Sequence, residues 1–73
     1  MYLLKIKGSG KIPNYLQIRD DEYTLLAYFR LDKLEDGLIK NHLNDFFEDI
    51  KIALENLEFG VIIYISLTNK TKL

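Results

Sequence analysis

Hydrophobic residues recur with helical spacing between Leu38 and Leu57. At about 100° per residue, they form one stripe with polar residues opposite. The stripe consists of Ile39, Leu43, Phe46, Phe47, Ile50, Ala53, Leu54 and Leu57. The polar side consists of Lys40, Asn44, Glu48, Lys51 and Glu55. The pattern predicts one long amphipathic helix that packs its apolar stripe against a sheet.

Four other segments alternate apolar and polar residues with a period of two, which is typical of strands. They cover 2–7, 15–19, 22–31 and 61–68. The predicted core-facing residues are Tyr2, Leu4, Ile6, Leu16, Ile18, Tyr23, Leu25, Ala27, Phe29, Leu31, Val61, Ile63, Ile65 and Leu67. The intervening residues, including Leu3, Lys5 and Lys7, are predicted to lie on the opposite face of the sheet.

Turn-forming and capping residues separate these segments. Residues 8–14 contain two glycines and a proline and are predicted to form a loop. Asp20 and Asp21 occupy the place of a two-residue hairpin turn. Asp36 is a candidate N-cap for a helix that begins at the next residue or the one after it. Gly60 suits the left-handed position that ends many helices.

The predicted order is strand, strand, strand, helix, strand. A single helix covers only one face of a sheet, so the fold class is α+β, a two-layer sandwich with a four-stranded mixed sheet and one long amphipathic helix. The third and fourth strands are predicted to be parallel, with the helix crossing between them. Whether the last strand lies beside the first or the third is left open. Residues 1–73 form one small domain, with 69–73 as a frayed tail.

Composition narrows the class of protein. The chain is 48% hydrophobic and 29% charged, which is typical of a folded domain. It has no cysteine and one histidine, which excludes disulfides and cysteine-based zinc sites. The apolar runs of the chain, such as Val61–Ile65, are far shorter than the roughly 20 residues of a membrane-spanning helix. Because no targeting segment is recognisable, we expect a soluble, cytoplasmic protein without a membrane partner.

Two stretches superficially resemble chemical sites. Residues 8–11 read Gly-Ser-Gly-Lys, but a phosphate-binding loop needs a longer glycine spacing and a following helix. His42 has Asp45 one turn later, but no activated nucleophile accompanies them. A mobile loop and a boundary histidine are the simpler interpretations. The sequence therefore predicts a non-enzymatic protein, and it predicts no catalytic residue, metal or cofactor.

The predicted open face of the sheet is the most informative surface. It collects an apolar band of four residues, namely Leu26, Tyr28, Ile62 and Tyr64. Exposed apolar residues on strands are common, but a contiguous band of them is typical of a contact surface. We therefore predict an interaction module that forms a homodimer or binds a protein partner through this band.

Single-stranded nucleic-acid binding is the alternative. Tyrosines can stack on bases while cations hold phosphates. The candidate nucleic-acid contacts are Lys5, Lys7, Tyr15, Arg19 and Arg30. Against this function, the net charge is −1, with the excess acid in the helical half of the chain. Nucleic-acid-binding domains usually carry a strongly basic surface.

Overall fold

A computed structural model describes residues 1–66 of the chain. Its strands are β1 (Tyr2–Ile6), β2 (Tyr15–Arg19), β3 (Leu25–Arg30) and β4 (Ile62–Tyr64). Its helices are α1 (Leu34–Lys40) and α2 (Phe47–Glu55), and a 3-10 turn precedes each of them, at Leu31–Lys33 and Asn44–Phe46. The α+β class is confirmed. The predicted frayed tail and the predicted strand residues Leu67 and Thr68 lie outside the described residues.

The sheet has the order β3-β2-β1-β4, and every neighbouring pair is antiparallel. The predicted mixed sheet with parallel third and fourth strands is therefore wrong. β4 pairs with β1, with Tyr2 opposite Tyr64 and Leu4 opposite Ile62. Because the helical segment returns the chain to the far side of β1, β3 and β4 become opposite edges of the sheet.

The connection between β2 and β3 is longer than the predicted two-residue turn. Asp20 accepts hydrogen bonds from the backbone N–H groups of Glu22 and Thr24 through its carboxylate. Tyr23 has a φ of 68°, in the left-handed region. The loop is followed by a register shift at the end of β2, where Arg19 pairs with Leu25. This irregularity explains why Tyr23 and Leu25, predicted to be core residues, are exposed.

The predicted single helix is also wrong, because the helical region is divided at residues 41–43. His42 has a φ of 61°. Its N–H donates to the carbonyl of Ile39, and the N–H of Leu43 donates to Leu38. These two bonds form a Schellman motif, the usual end of a helix before a left-handed residue. Glycine normally occupies that position, so a histidine there gave no stop signal in the sequence.

Helix α1 begins before the predicted cap. Asp36 lies inside the helix, and Gly37 is buried against Phe29 of β3. A Cβ atom at residue 37 would overlap the aromatic ring, so glycine is what permits this close approach of helix and strand.

Gly60 also has a different role from the predicted helix cap. Its φ is 82°, and its N–H donates to the carbonyl of Lys5 at the entry to β4.

The core lies between one face of the sheet and the two helices. Its buried residues are Met1, Leu3, Leu16, Ile18, Ala27, Leu38, Leu43, Ile50, Leu54 and Leu57. The predicted orientation of the first strand is wrong, because Leu3 is fully buried opposite Ile18 and the alternate residues face outward. Ile39 and Val61, also predicted to be buried, are exposed. No helix within residues 1–66 is long and apolar enough to cross a membrane.

Candidate functional site

The sheet face opposite the helices is not covered by any element in residues 1–66, and we call it the open face. The strand register arranges its residues in three rows across the sheet. The rows are Tyr28–Gln17–Leu4–Ile62, then Leu25–Arg19–Tyr2–Tyr64, and finally Arg30–Tyr15–Ile6. The face is therefore mainly aromatic and aliphatic, with two arginines and one glutamine.

All five tyrosines of the chain lie on this face or at its border. The ring of Tyr2 makes edge-to-face contacts with Tyr23 and Tyr64, at centroid distances of 5.2 and 5.1 Å. Tyr15 and Tyr28 stack with their centroids 4.9 Å apart. These are favourable arrangements of aromatic pairs. The rings thus hold one another in place along the surface while their outer sides face solvent.

The predicted band of Leu26, Tyr28, Ile62 and Tyr64 is exposed, but it is not one compact cluster. Tyr28 and Ile62 lie in the same row at opposite edges, with Gln17 and Leu4 between them. Leu26 is the residue that the register shift passes over. It lines a shallow cavity of about 440 Å³ together with Tyr64 and the acidic turn at 20–22.

The candidate nucleic-acid contacts separate onto two sides of the sheet. Tyr15, Arg19 and Arg30 lie on the open face. The prediction that Lys5 and Lys7 share that face is wrong. The Nζ of Lys5 donates to the carbonyl of Leu54 over 3.2 Å and lies 4.6 Å from the centroid of the Phe59 ring.

Lys7 also lies over the Phe59 ring, with its Nζ 5.3 Å from the centroid. A helix ends with unpaired carbonyls and a partial negative charge. The Lys5 ammonium therefore stabilises the end of α2. Because the orientation of β1 is the reverse of the predicted one, Lys5 and Lys7 both lie on the helical side of the sheet.

Both arginines of the open face are held by neighbouring groups. Arg19 donates to the side-chain oxygen of Gln17 and to the carbonyl of Tyr23, and its guanidinium lies 4.6 Å from the centroid of the Tyr23 ring. Arg30 donates from Nε and Nη2 to both carboxylate oxygens of Asp32. This hydrogen-bonded pair lowers the pKa of Asp32 and raises that of Arg30.

Three acidic residues, 20–22, form one end of the open face. The carboxylate of Asp21 accepts from the amino group of Met1 and from the hydroxyl of Tyr64. The amino group is the main reason that the pKa of Asp21 is below its usual value. Reduced hydration, followed by the charge of Asp21, raises the pKa of Tyr64. This end of the face is therefore acidic, whereas Arg30 lies at the other end.

The sequence interpretation missed Tyr2, Leu4, Ile6 and Tyr23 as members of this surface. It assigned the first three to the core because lysines alternate with them. One signal for the correct orientation is Tyr2 itself, since a tyrosine suits a face where its hydroxyl can reach water. Within residues 1–66, no group of three or more His, Cys, Asp or Glu residues has a geometry suited to a metal ion.

No protein-family model matches the chain, and no significant match is found among curated proteins or solved structures.

Proposed function

We propose that this chain is a non-catalytic interaction module whose open face pairs with the same face of a second copy. The observation that carries the proposal is the set of five tyrosines on or beside a sheet face that no described element covers. Leu4, Ile6 and Ile62 lie among them. Aromatic anchors surrounded by aliphatic residues are the composition of the buried centre of protein interfaces.

Ring packing within the monomer favours association. Binding is weakened by the entropy lost when side chains become ordered at an interface. The contacts between Tyr2 and Tyr64 and between Tyr15 and Tyr28 already restrict four of the five rings. Tyrosine also has few rotatable bonds for its contact area. The open face is therefore ordered before a partner arrives.

Charge along the strands favours a second copy as the partner. The acidic turn at 20–22 follows the end of β2 that carries Arg19, whereas Arg30 lies beside Tyr15 at the start of β2. A two-fold axis perpendicular to the strands would bring Arg30 of each copy toward Glu22 of the other. The Nη1 of Arg30 has no hydrogen-bond partner among the described residues and remains able to donate. Such self-complementarity is what a symmetric dimer requires.

The size of the face sets the expected strength. Four strands at about 4.8 Å spacing and five residues at about 3.3 Å give a face of roughly 19 by 17 Å. A standard interface removes about 800 Å² of accessible surface from each partner. The projected area of the open face, about 320 Å², is well below that size. The proposal is therefore a weak, concentration-dependent dimer.

Single-stranded nucleic acid is the second candidate, and the stacked pair Tyr15 and Tyr28 favours it. The cations argue against it. Lys5 and Lys7 contact Phe59 on the helical side, and Arg30 is paired with Asp32. Few phosphates could then be neutralised, and counterion release would contribute little.

The test is sedimentation velocity across protein concentrations from micromolar to millimolar. We expect wild type to shift from monomer to dimer and Tyr64→Asp to remain monomeric, since a carboxylate would be buried without a partner. Ile52→Asp is the matched control, because it places the same charge on an exposed residue of α2. It should dimerise like wild type.

A wild type that stays monomeric at millimolar concentration would overturn the dimer. The second candidate has its own measurement, which is fluorescence anisotropy with a short labelled oligothymidylate at low and moderate salt. Salt-sensitive binding that is lost in Tyr15→Ala would show that the open face binds single-stranded nucleic acid. Absence of binding by a monomeric wild type would remove both candidates.

A further inference from the structure

A groove separates the outer edge of β3 from helix α1. Gly37 packs directly on the ring of Phe29, so the helix lies close beside the strand and the two form the floor of the groove. The volume of this groove is about 440 Å³. Tyr28 lies on the strand side, and Lys33, Asp36 and Lys40 line the helix side.

The strand side of the groove has unpaired backbone groups. β3 is an edge of the sheet formed by residues 1–66. The N–H of Leu31 donates to the carbonyl of Asn14, and the register then makes Phe29 and Ala27 the residues that bond to β2. Tyr28 therefore directs its N–H and its C=O away from the sheet, and Arg30 directs its N–H the same way. An exposed edge of this kind can accept a further strand.

The helix side of the groove is basic. Lys33 and Lys40 form no ion pair with a described residue, and Asp36 lies between them in the sequence. Arg30 also lines the groove, with Asp32 as its partner. The groove therefore has two unpaired ammonium groups and one carboxylate. Its charge complements an acidic segment.

We infer that this groove binds an extended acidic peptide segment by strand addition to β3. The peptide backbone pairs with the outward groups of Tyr28 and Arg30. Because successive side chains of a strand point to opposite faces, every second side chain of the peptide enters the groove. Carboxylates at those positions lie beside Lys33 and Lys40. The site lies at the sheet edge, so it does not depend on pairing of the open faces.

The probe for this inference is a fluorescein-labelled peptide, blocked at both ends, in which valine alternates with glutamate. Anisotropy titration with wild type should give saturable binding. The same peptide with lysine in place of glutamate should not bind. The double variant Lys33→Glu with Lys40→Glu should weaken binding by about tenfold or more, because charge reversal at an interface opposes the acidic ligand. Lys51→Glu on α2 reverses a charge away from the groove and should leave the affinity unchanged.

A second pair of peptides tests strand pairing with the protein unaltered. Methylation of the backbone nitrogens on one edge of the peptide removes the donors that strand addition uses, whereas methylation on the other edge leaves them. We expect one of the two peptides to lose binding and the other to keep it. Amide chemical shifts of Tyr28 and Arg30 should move with the peptide that binds.

Equal binding by both methylated peptides would mean that the lysines attract any anion, and it would overturn strand addition. Unchanged binding by the double lysine variant would overturn the assignment of the groove. A dimer that persists in Tyr64→Asp and excludes the peptide would assign the edge to a second copy, which also overturns the inference. Loss of dimerisation in Tyr64→Asp with peptide affinity retained would separate the two surfaces.

Discussion

The two faces of the sheet are built from alternate residues of the same strands, yet they differ in chemistry. The covered face is aliphatic, with Leu3, Leu16 and Ile18 fully buried beneath the helices. The open face carries tyrosines, and Tyr28 and Tyr64 each keep about half of their surface exposed, at 53% and 52%. Both faces are apolar enough to be called hydrophobic from sequence alone.

The difference separates two uses of apolar surface. Aliphatic side chains have no polar group to satisfy, so they suit a permanently dry core. A tyrosine ring covers apolar surface while its hydroxyl remains available to water or to a partner. The covered face therefore stabilises the monomer. The open face has the composition of a surface that is exposed to water in the monomer and becomes buried when a partner binds.

The largest expected effect is in the core between the covered face and the helices. Ile50→Ala should lower the free energy of unfolding by about 2–5 kcal/mol, because Ile50 is fully buried. Tyr28→Ala on the open face should cost less than about 1 kcal/mol in the monomer. Chemical denaturation at low protein concentration measures both.

If Ile50→Ala does not fold, Ile50→Val should lose about 0.5–1.5 kcal/mol and can replace it. Equal losses in Ile50→Ala and Tyr28→Ala would mean that the open face contributes to the stability of the monomer as much as the core does.

The second effect concerns the contact of α1 with the covered face. Gly37→Ala places a methyl group against the ring of Phe29 and should lower the free energy of unfolding by about 1–3 kcal/mol, as in other overpacked cores. Glu35→Ala, on an exposed residue of the same helix, should change stability by less than about 0.5 kcal/mol. Thermal denaturation of the two variants makes the comparison. A neutral Gly37→Ala would contradict the close packing of helix and strand.

A smaller effect, of opposite sign, is expected at the break between the helices. His42→Gly should raise the free energy of unfolding by about 0.5–1 kcal/mol, because the left-handed conformation costs little for glycine. His42→Ala is the control and should give no such gain, since alanine also has a Cβ atom. A loss of stability in the glycine variant would show that the imidazole has a structural role.

The smallest effect is a pH dependence at the acidic end of the open face. The amino group of Met1 lowers the pKa of Asp21. The contribution of this ion pair to stability should be complete above about pH 4. It should disappear as the pH falls through the pKa of Asp21 in the folded state, which is lower than in the unfolded state.

Melting curves across pH test this effect. The melting temperature of wild type should be higher than that of Asp21→Asn at neutral pH, and the two melting temperatures should converge in acid. Glu22→Gln removes an equal charge from the same turn and should not reproduce this convergence. Parallel curves for wild type and Asp21→Asn would contradict the assignment.

The sequence predicted the α+β class and placed β2 at Tyr15–Arg19 with Leu16 and Ile18 in the core, all of which the structure confirms. These elements depend on local alternation of apolar and polar residues. The helix break could not be predicted, because the hydrophobic period continues through it. His42 also occupies the left-handed position where glycine usually marks the end of a helix.

The arrangement of the open face depended on facts outside any single segment. The orientation of β1 is ambiguous by itself, since both of its sides carry leucine. Only pairing with β2 fixes it, by placing Leu3 opposite Ile18. The separation of Tyr28 from Ile62 likewise follows from strand order, which local patterns do not encode. The four residues of the predicted band were therefore correctly identified as exposed, but their predicted adjacency was wrong.

The central position of β1 has a consequence for synthesis on the ribosome. β1 is synthesised before the other described elements, and one of its two partners is β4, the last strand of the described chain. At about 5–20 residues per second, one edge of β1 stays unpaired for several seconds. The apolar side chains of Leu3, Leu4 and Ile6 lie along that strand. The nascent chain therefore exposes these apolar side chains along an unpaired strand edge until β4 has left the ribosome.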